Sequence, residues 1–358
     1  MNRLAQVLLL LAAGWCGAAS AGVIIDDPRY LQQQQAVIFP KAEVKLVAFE
    51  FEAVGNDERG KQRAKELHDR FLAKIHDLHG GAIITFVTPP GQRIENYRVT
   101  AAEVAKQQKA QMVLWGRILA DRGGASLINA RLTLVEPPPG ISANYSAGAV
   151  RGVIDAPVTQ WRVDFSTLEN DVTPIAYFLS GLARYYKAAV REGTQATRWL
   201  NSSIEDFKAY VTRVPEKTDA ATLSQAHLYL ARAHVRLAVA EPSRAAQRLD
   251  QARDHADQAA RLNPYDASVP TVQAVIATQR RADPRVIRNF LARAVTLAPT
   301  DSNLRLNLAV VDSAQGNMKD AIRQLDNASL IYKAQDKQVS PEVQTLRKQL
   351  EPYQSGPR

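Results

Sequence analysis

The sequence predicts an α+β protein in two parts, an α/β sandwich followed by an all-α array of helical repeats. Three observations carry this. Between residue 44 and about residue 165, short apolar runs alternate with an amphipathic segment. From Pro174 onward nearly every stretch has helical periodicity. Within that second part, the same small and apolar residues return after 34 or 35 positions. A chain of 358 residues is long enough for two cores, and 46% hydrophobic with 23% charged residues is the composition of an ordinary globular protein.

Residues 1–21 are expected to be a cleaved export leader. Arg3 precedes an apolar run from Val7 to Ala13, and Ala19-Ser20-Ala21 is the small-residue pattern at which signal peptidase cuts, here after Ala21. The run is too short and too interrupted for a membrane span. Cys16 follows Trp15, where lipidation requires a small residue. The mature chain therefore has no cysteine, which excludes disulfides, thiol catalysis and thiolate metal sites. The expected location is the periplasm, peripheral to the membrane at most.

The α/β domain spans residues 22–170. Val44 to Phe51 is its first strand, and Ala64, Leu67, Phe71, Ile75 and Leu78 recur at helical steps up to Gly80-Gly81. Ala82 to Val87 is a strand before the Pro89-Pro90-Gly91 turn, and Thr100 with Glu103 opens a short helix through Gln108. Further strands are Met112 to Ile118, Ser126 to Val135 and, after a Pro/Gly/Ser-rich stretch from Pro137 to Gly152, Val158 to Phe165.

Residues 171–218 form a helical connector, with Pro174 at a first helical position and Gly181 and Ala183 marking a degenerate hairpin. Residues 219–335 hold the repeats. Leu230-Ala231, Ala252, Ala256, Ala259, Leu262 and Pro264 make the first, and Ala274-Val275, Leu291, Ala294, Leu297 and Pro299 the second. Leu308-Ala309, Gly316, Ala321, Leu325, Ala328 and Ile331 make the third. Small residues let two antiparallel helices approach, large ones fill the gaps, and proline stops the second helix. The first unit carries extra residues near Glu241-Pro242, and residues 336–358 are expected to be a capping helix and tail.

Residues 220 to 332 resemble the tetratricopeptide repeat family, whose period is 34 residues. The first part resembles the TolB amino-terminal domain and CsgG-like envelope proteins. That likeness rests on Val47-Ala48-Phe49-Glu50-Phe51, the helix Arg63 to Leu78, Thr100 to Gln108, and the stretch from Ala110 to Ile118. The combination implies a non-catalytic adaptor that binds a protein or peptide partner in a cell-envelope assembly. The alternative is a ligand-sensing or regulatory module, such as an activator of an envelope enzyme.

The remaining chemistry is thin. The net charge of +9 is spread along the chain, and export removes most nucleic-acid targets, so no nucleic-acid partner is expected. Gly55 to Lys61 has phosphate-loop spacing, but Gln62 stands where a hydroxyl is needed, and Asp57 and Glu58 would repel phosphate. His76 and His79 lack a third ligand, His227 and His234 could share a helix face, and no nucleophile elbow or carboxylate pair stands out. No enzyme activity, cofactor or metal is expected. The first helix of each repeat pair lines the concave face of such arrays. Aligning the Leu-Ala pairs projects Gln225, Arg232 and Arg236, then Gln273, Gln279 and Arg280, then Asn303, Asn307 and Ser313 into a partner-binding groove. Arginine would fork onto carboxylates there, and the amides would fix an extended backbone.

Overall fold

A computed structural model describes residues 44–49, 51–53, 58–79, 83–87, 109–120, 126–134, 141–143, 153–154, 162–166, 173–189, 191–214 and 220–353. The leader, the Pro89-Pro90-Gly91 turn and the helix Thr100 to Gln108 lie outside them. The strands are β1 (Val44–Ala48), β2 (Glu52–Ala53), β3 (Ile83–Val87), β4 (Met112–Ala120), β5 (Ser126–Leu134), β6 (Ser142–Ala143), β7 (Val153–Ile154) and β8 (Arg162–Ser166). Helix α1 (Glu58–His79) is followed by α2 (Thr173–Ala189), α3 (Gly193–Arg213), α4 (Ala220–Ala240), α5 (Ala245–Leu262) and α6 (Ser268–Gln279). Then come α7 (Pro284–Leu297), α8 (Ser302–Ala314), α9 (Met318–Ala334) and α10 (Pro341–Leu350). Among the described residues, one compact unit holds β1–β5, β8 and α1–α5, and a second holds β6, β7 and α6–α10.

In the first unit the sheet runs β3-β1-β4-β5-β8, with β2 also on β4. β1 pairs parallel with β3 and β4, while β5 is antiparallel to β4 and β8. Gln111 fixes where β1 and β4 begin: its side-chain oxygen accepts from the Lys45 N–H at 2.7 Å, and its own N–H donates to the Lys45 carbonyl at 3.1 Å. Farther along, Arg117 donates to Glu52 at 3.0 Å across the β2–β4 pair that sets them opposite each other. Helix α1 buries Ala64, Leu67, Phe71 and Ile75, one stripe at steps of three and four.

The core of this unit does not stop near residue 170. A single cluster of buried side chains runs from Val44 and Leu114 in the sheet through Phe71 in α1 to Phe178, Phe207 and Tyr229 in α2, α3 and α4. Aromatic rings link the three helices. Phe178 meets Phe207 edge-on at 5.5 Å and Tyr210 at 5.1 Å, and Phe207 stacks on Tyr229 at 5.4 Å. Gly181 lets α2 approach this closely, since a β-carbon there would stand 2.9 Å from the Phe207 ring. Beside it, Arg184 donates to Asp206 at 3.0 Å and to the Leu78 carbonyl at the end of α1 at 2.9 Å, while the Ser180 hydroxyl donates to the same Asp206 carboxylate.

The repeats are regular in geometry as well as in sequence. The Asn263 N–H bonds back to the Ala259 carbonyl and the Ala298 N–H to that of Ala294, both at 2.9 Å. Asp266 accepts from the Ser268 N–H and Asp301 from the Asn303 N–H, both at 2.8 Å. In the turns inside the pairs, the Ala282 N–H reaches the Ala277 carbonyl and the Asn317 N–H that of Asp312. Each of these features returns after 35 residues. The motif residues Ala252, Ala256 and Ala259, then Leu291 and Ala294, then Ala321, Leu325 and Ala328 are all buried along the second helices. The first pair is longer, 21 and 18 residues joined through the turn Pro242–Arg244, which absorbs the extra residues near Glu241. Helix α10 closes the end by burying Val343, Leu346 and Leu350 against α8 and α9.

Arg281 and Gly316 occupy the same turn position one repeat apart, and both have positive φ, 56° and 80°. A side chain in that left-handed region costs about 1–2 kcal/mol, and glycine's extra freedom in the unfolded chain offsets part of the gain from removing it. Arg281→Gly is therefore expected to raise stability by about 0.5–1 kcal/mol, and Gly316→Ala to lower it by about 1 kcal/mol. Urea unfolding monitored by circular dichroism reads both, and effects of equal sign would refute the equivalence of the two turns.

Candidate functional site

The first helices of the pairs are α4, α6 and α8, and their side chains are the natural place to seek a binding surface. In the first unit, α4 packs on α3, on α5 and against β8, which leaves little of it open. Gln225 and Arg232 are each only 6% exposed. The Arg232 guanidinium lies over the Tyr229 ring at 5.2 Å. Arg236, half-buried, donates to the Tyr185 hydroxyl at 2.9 Å and covers that ring at 5.0 Å. The arginines expected to fork onto a partner are instead held by the aromatic core, because the projection placed them on a face that α4 turns inward.

In the second unit, Gln273 and Gln279 are half-buried on α6, while Arg280 and Asn303 are exposed. Asn307 is 1% exposed and Ser313 is buried. The reason is again a cover: β6 and β7 lie against α6, and β7 also lies against α8. Asp312, fully buried next to Ser313, receives a hydrogen bond from Arg288, which reaches Asp320 as well and so ties α7 to α8 and α9. Burial raises the Asp312 pKa and the Arg288 bond opposes the rise.

The histidines of the first pair form a cluster that sequence spacing revealed only in part. Across α4 and α5, the Nδ1 atoms of His227 and His255 are 3.1 Å apart, and His234 stacks on His255 with ring centroids 5.7 Å apart. Spacing in sequence leaves His255 scattered from the other two, because its partnership depends on the register between two helices and not on spacing within one. A bond between two ring nitrogens needs one to carry a proton and the other to lack it. Burial, then the neighbouring His255 and then Arg261 depress His227 to about 4. Burial, His255, Arg248 and Lys208 depress His234 to about 3, and burial and Lys208 lower His255 against an opposing Asp254. The surrounding cations repel a metal ion, and among the described residues no group of three or more His, Cys, Asp or Glu is placed to hold one.

Elsewhere, Lys61 pairs with Glu58 at 2.7 Å in the first turn of α1, and His68 is buried edge-on to Phe51. Ser180 with Asp206 pairs a hydroxyl and a carboxylate, but both are buried beneath α2 and α3. Among the described residues, no helix is long and apolar enough to cross a membrane.

The cluster has a consequence for acid stability. Histidines held neutral in the fold but protonated near pH 6.5 when unfolded contribute stability that is complete above that pH and is lost as pH falls toward 4. Asp206, raised to about 6 mainly by burial, acts in the opposite sense, gaining stability as pH falls through 6. Asp312, also raised by burial, acts in the same sense as Asp206, and the three histidines outweigh the two carboxylates. The melting temperature is expected to fall by about 5 °C or more between pH 7 and pH 5, and the triple variant H227Q/H234Q/H255Q to lose most of that slope. Calorimetry across this range tests it, and an unchanged slope in the variant would assign the acid sensitivity elsewhere.

No protein-family model matches the chain, and no curated protein is detectably similar to it. Among solved structures, it is similar to a thermophilic tetratricopeptide repeat protein of Thermus thermophilus, at 18% identity and a TM-score of 0.36 over 52% of this chain and 90% of that one. The tetratricopeptide-like character of the helical hairpins rests on their own register and on turns that recur every 35 residues.

Proposed function

We propose that this protein is a non-enzymatic scaffold that binds a protein partner in the periplasm as part of a cell-envelope assembly. The observation that carries the proposal is the succession of hairpins α6–α7 and α8–α9, built on one geometry with a period of 35 residues. Such hairpins stack into extended surfaces suited to peptide recognition. Export is supported by Arg3, the apolar run after it and Ala19-Ser20-Ala21. The envelope setting is supported by the resemblance of the first part to TolB amino-terminal and CsgG-like domains.

The partner-facing residues on this reading are the exposed ones, Arg280 at the end of α6 and Asn303 at the start of α8. Arg232 and Arg236 are unsuitable probes, because reversing their charge would break the aromatic core before it tested any partner. A photoreactive residue at Asn303, introduced in the intact envelope, is expected to capture one abundant envelope protein. Arg280→Glu is expected to reduce that capture about tenfold, as loss of a charged contact at an interface does, with the helical circular dichroism of the folded chain retained. Undiminished capture by R280E would remove this end of α6 from the interface, and capture of nothing above background would refute the scaffold.

A further inference from the structure

The second unit contains a segment that does not belong to it by sequence order. Strands β6 and β7 come from the stretch between β5 and β8, both of which are in the sheet of the first unit. They pair antiparallel, Ser142 opposite Ile154 and Ala143 opposite Val153, and lie against the first helices α6 and α8. Ile141, which leads into β6, is 1% exposed. This is the face on which a repeat protein of this type receives an extended peptide.

The helices themselves show that the face is built to be covered. Their partners α7 and α9 bury narrow stripes, Ile287, Leu291 and Ala294 in α7 and Ala321, Leu325 and Ala328 among others in α9. Helix α6 buries every residue from Ser268 to Thr278 except Gln273, and α8 buries Leu304 and all of Leu306 to Ser313. A helix buried on one side only has a stripe, whereas burial all round means neighbours on several sides: α7 with β6 and β7 for α6, and α7, α9 and β7 for α8. The buried set is mostly apolar: the Thr271 and Thr278 hydroxyls donate to the Ala267 and Ala274 carbonyls one turn back, and the Asp312 carboxylate is engaged by Arg288, so the surface they leave suits an uncharged segment. Residues 140–156 match that chemistry: Gly, Ala, Ser, Val and Ile predominate, and Arg151 and Asp155 are the charges.

We propose that the paired strands β6 and β7 are a resident ligand of the α6–α8 face, seated where an extended, uncharged segment of a partner would bind and competing with it. The proposal deepens the scaffold reading by naming the occupant of its surface. It is tested on the purified chain, so it stands or falls without any envelope protein being captured.

The first experiment replaces residues 142–154 with a glycine–serine linker of equal length in the full chain. The probe is a fluorescent peptide with the sequence of residues 139–156. The peptide is expected to bind the linker variant saturably, and the unaltered chain at least about tenfold more weakly, because there the tethered copy holds the site. A peptide carrying Ile141→Asp is expected to lose binding to the variant. Equal binding to both chains, or none to a linker variant whose helical circular dichroism is intact, would overturn the proposal. A second measurement needs no deletion: a photoreactive residue at Ser142 in the otherwise unaltered chain is expected to crosslink to residues 268–314, and crosslinks confined to other segments would overturn it as well.

Discussion

A helix that is apolar on every side must be covered on every side, and that requirement organises both units. Each buried valine, leucine or isoleucine contributes roughly 1.5–3 kcal/mol relative to exposure, so a face left open on α4, α6 or α8 would forfeit several such contributions. The helix after each of them covers one side. The other sides are supplied differently: by α3 and β8 for α4, by the strands β6 and β7 for α6, and by α7 and β7 for α8. Second helices need no such cover, because their apolar residues fall on a single stripe. Small residues such as Ala259, Ala294 and Ala328, all fully buried, let the paired backbones come close.

Burying that much surface also encloses polar groups, and their partners decide which elements belong together. Asp206 takes bonds from Ser180 and Arg184, and Arg184 also caps the last turn of α1 through the Leu78 carbonyl. Removing either charge would strand the other away from water at a cost of about 3–5 kcal/mol, although the intact network adds little net stability. Its effect is to specify position. Helices that resemble a connector in sequence become, through this network and the rings of Phe178, Phe207 and Tyr229, the bridge between a sheet and the first repeat pair. The Arg288 bonds to Asp312 and Asp320 do the same at the junction of successive pairs in the second unit.

Legibility in the sequence followed the range of the interaction concerned. The stripe on α1, the strands β1, β4 and β5 and the repeat motifs were legible, because period and spacing are properties of neighbouring residues. The hairpin β6–β7 was not, since residues 137–152 are rich in Pro, Gly and Ser and their alternation is too short to mark a strand. What β6 and β7 lie against are helices more than a hundred positions later. Several of the expected site residues are buried for a related reason: aligning motifs tells which way a residue faces from its own helix but not what lies on that side. Gln225, Arg232, Asn307 and Ser313 face a cover that the repeat pattern does not encode. Arg280 and Asn303, at helix ends, stayed exposed because no cover is required there.

A covered face changes what binding means for such a chain. If an outside segment can enter only when the resident one has left, its apparent affinity falls in proportion to the fraction of time the face is open. Tethering sharpens the effect, because a segment joined to the chain at both ends competes at a high effective concentration however weak its own contacts are. The ends of the helices are not subject to this competition. On the proposed reading Arg280 and Asn303 meet a partner while the strands are seated, so encounter at the exposed ends and entry at the covered face become separable steps governed by different physics. Charge and accessibility set the first; exchange of one neutral extended segment for another sets the second. An arrangement of this kind favours partners long enough to do both.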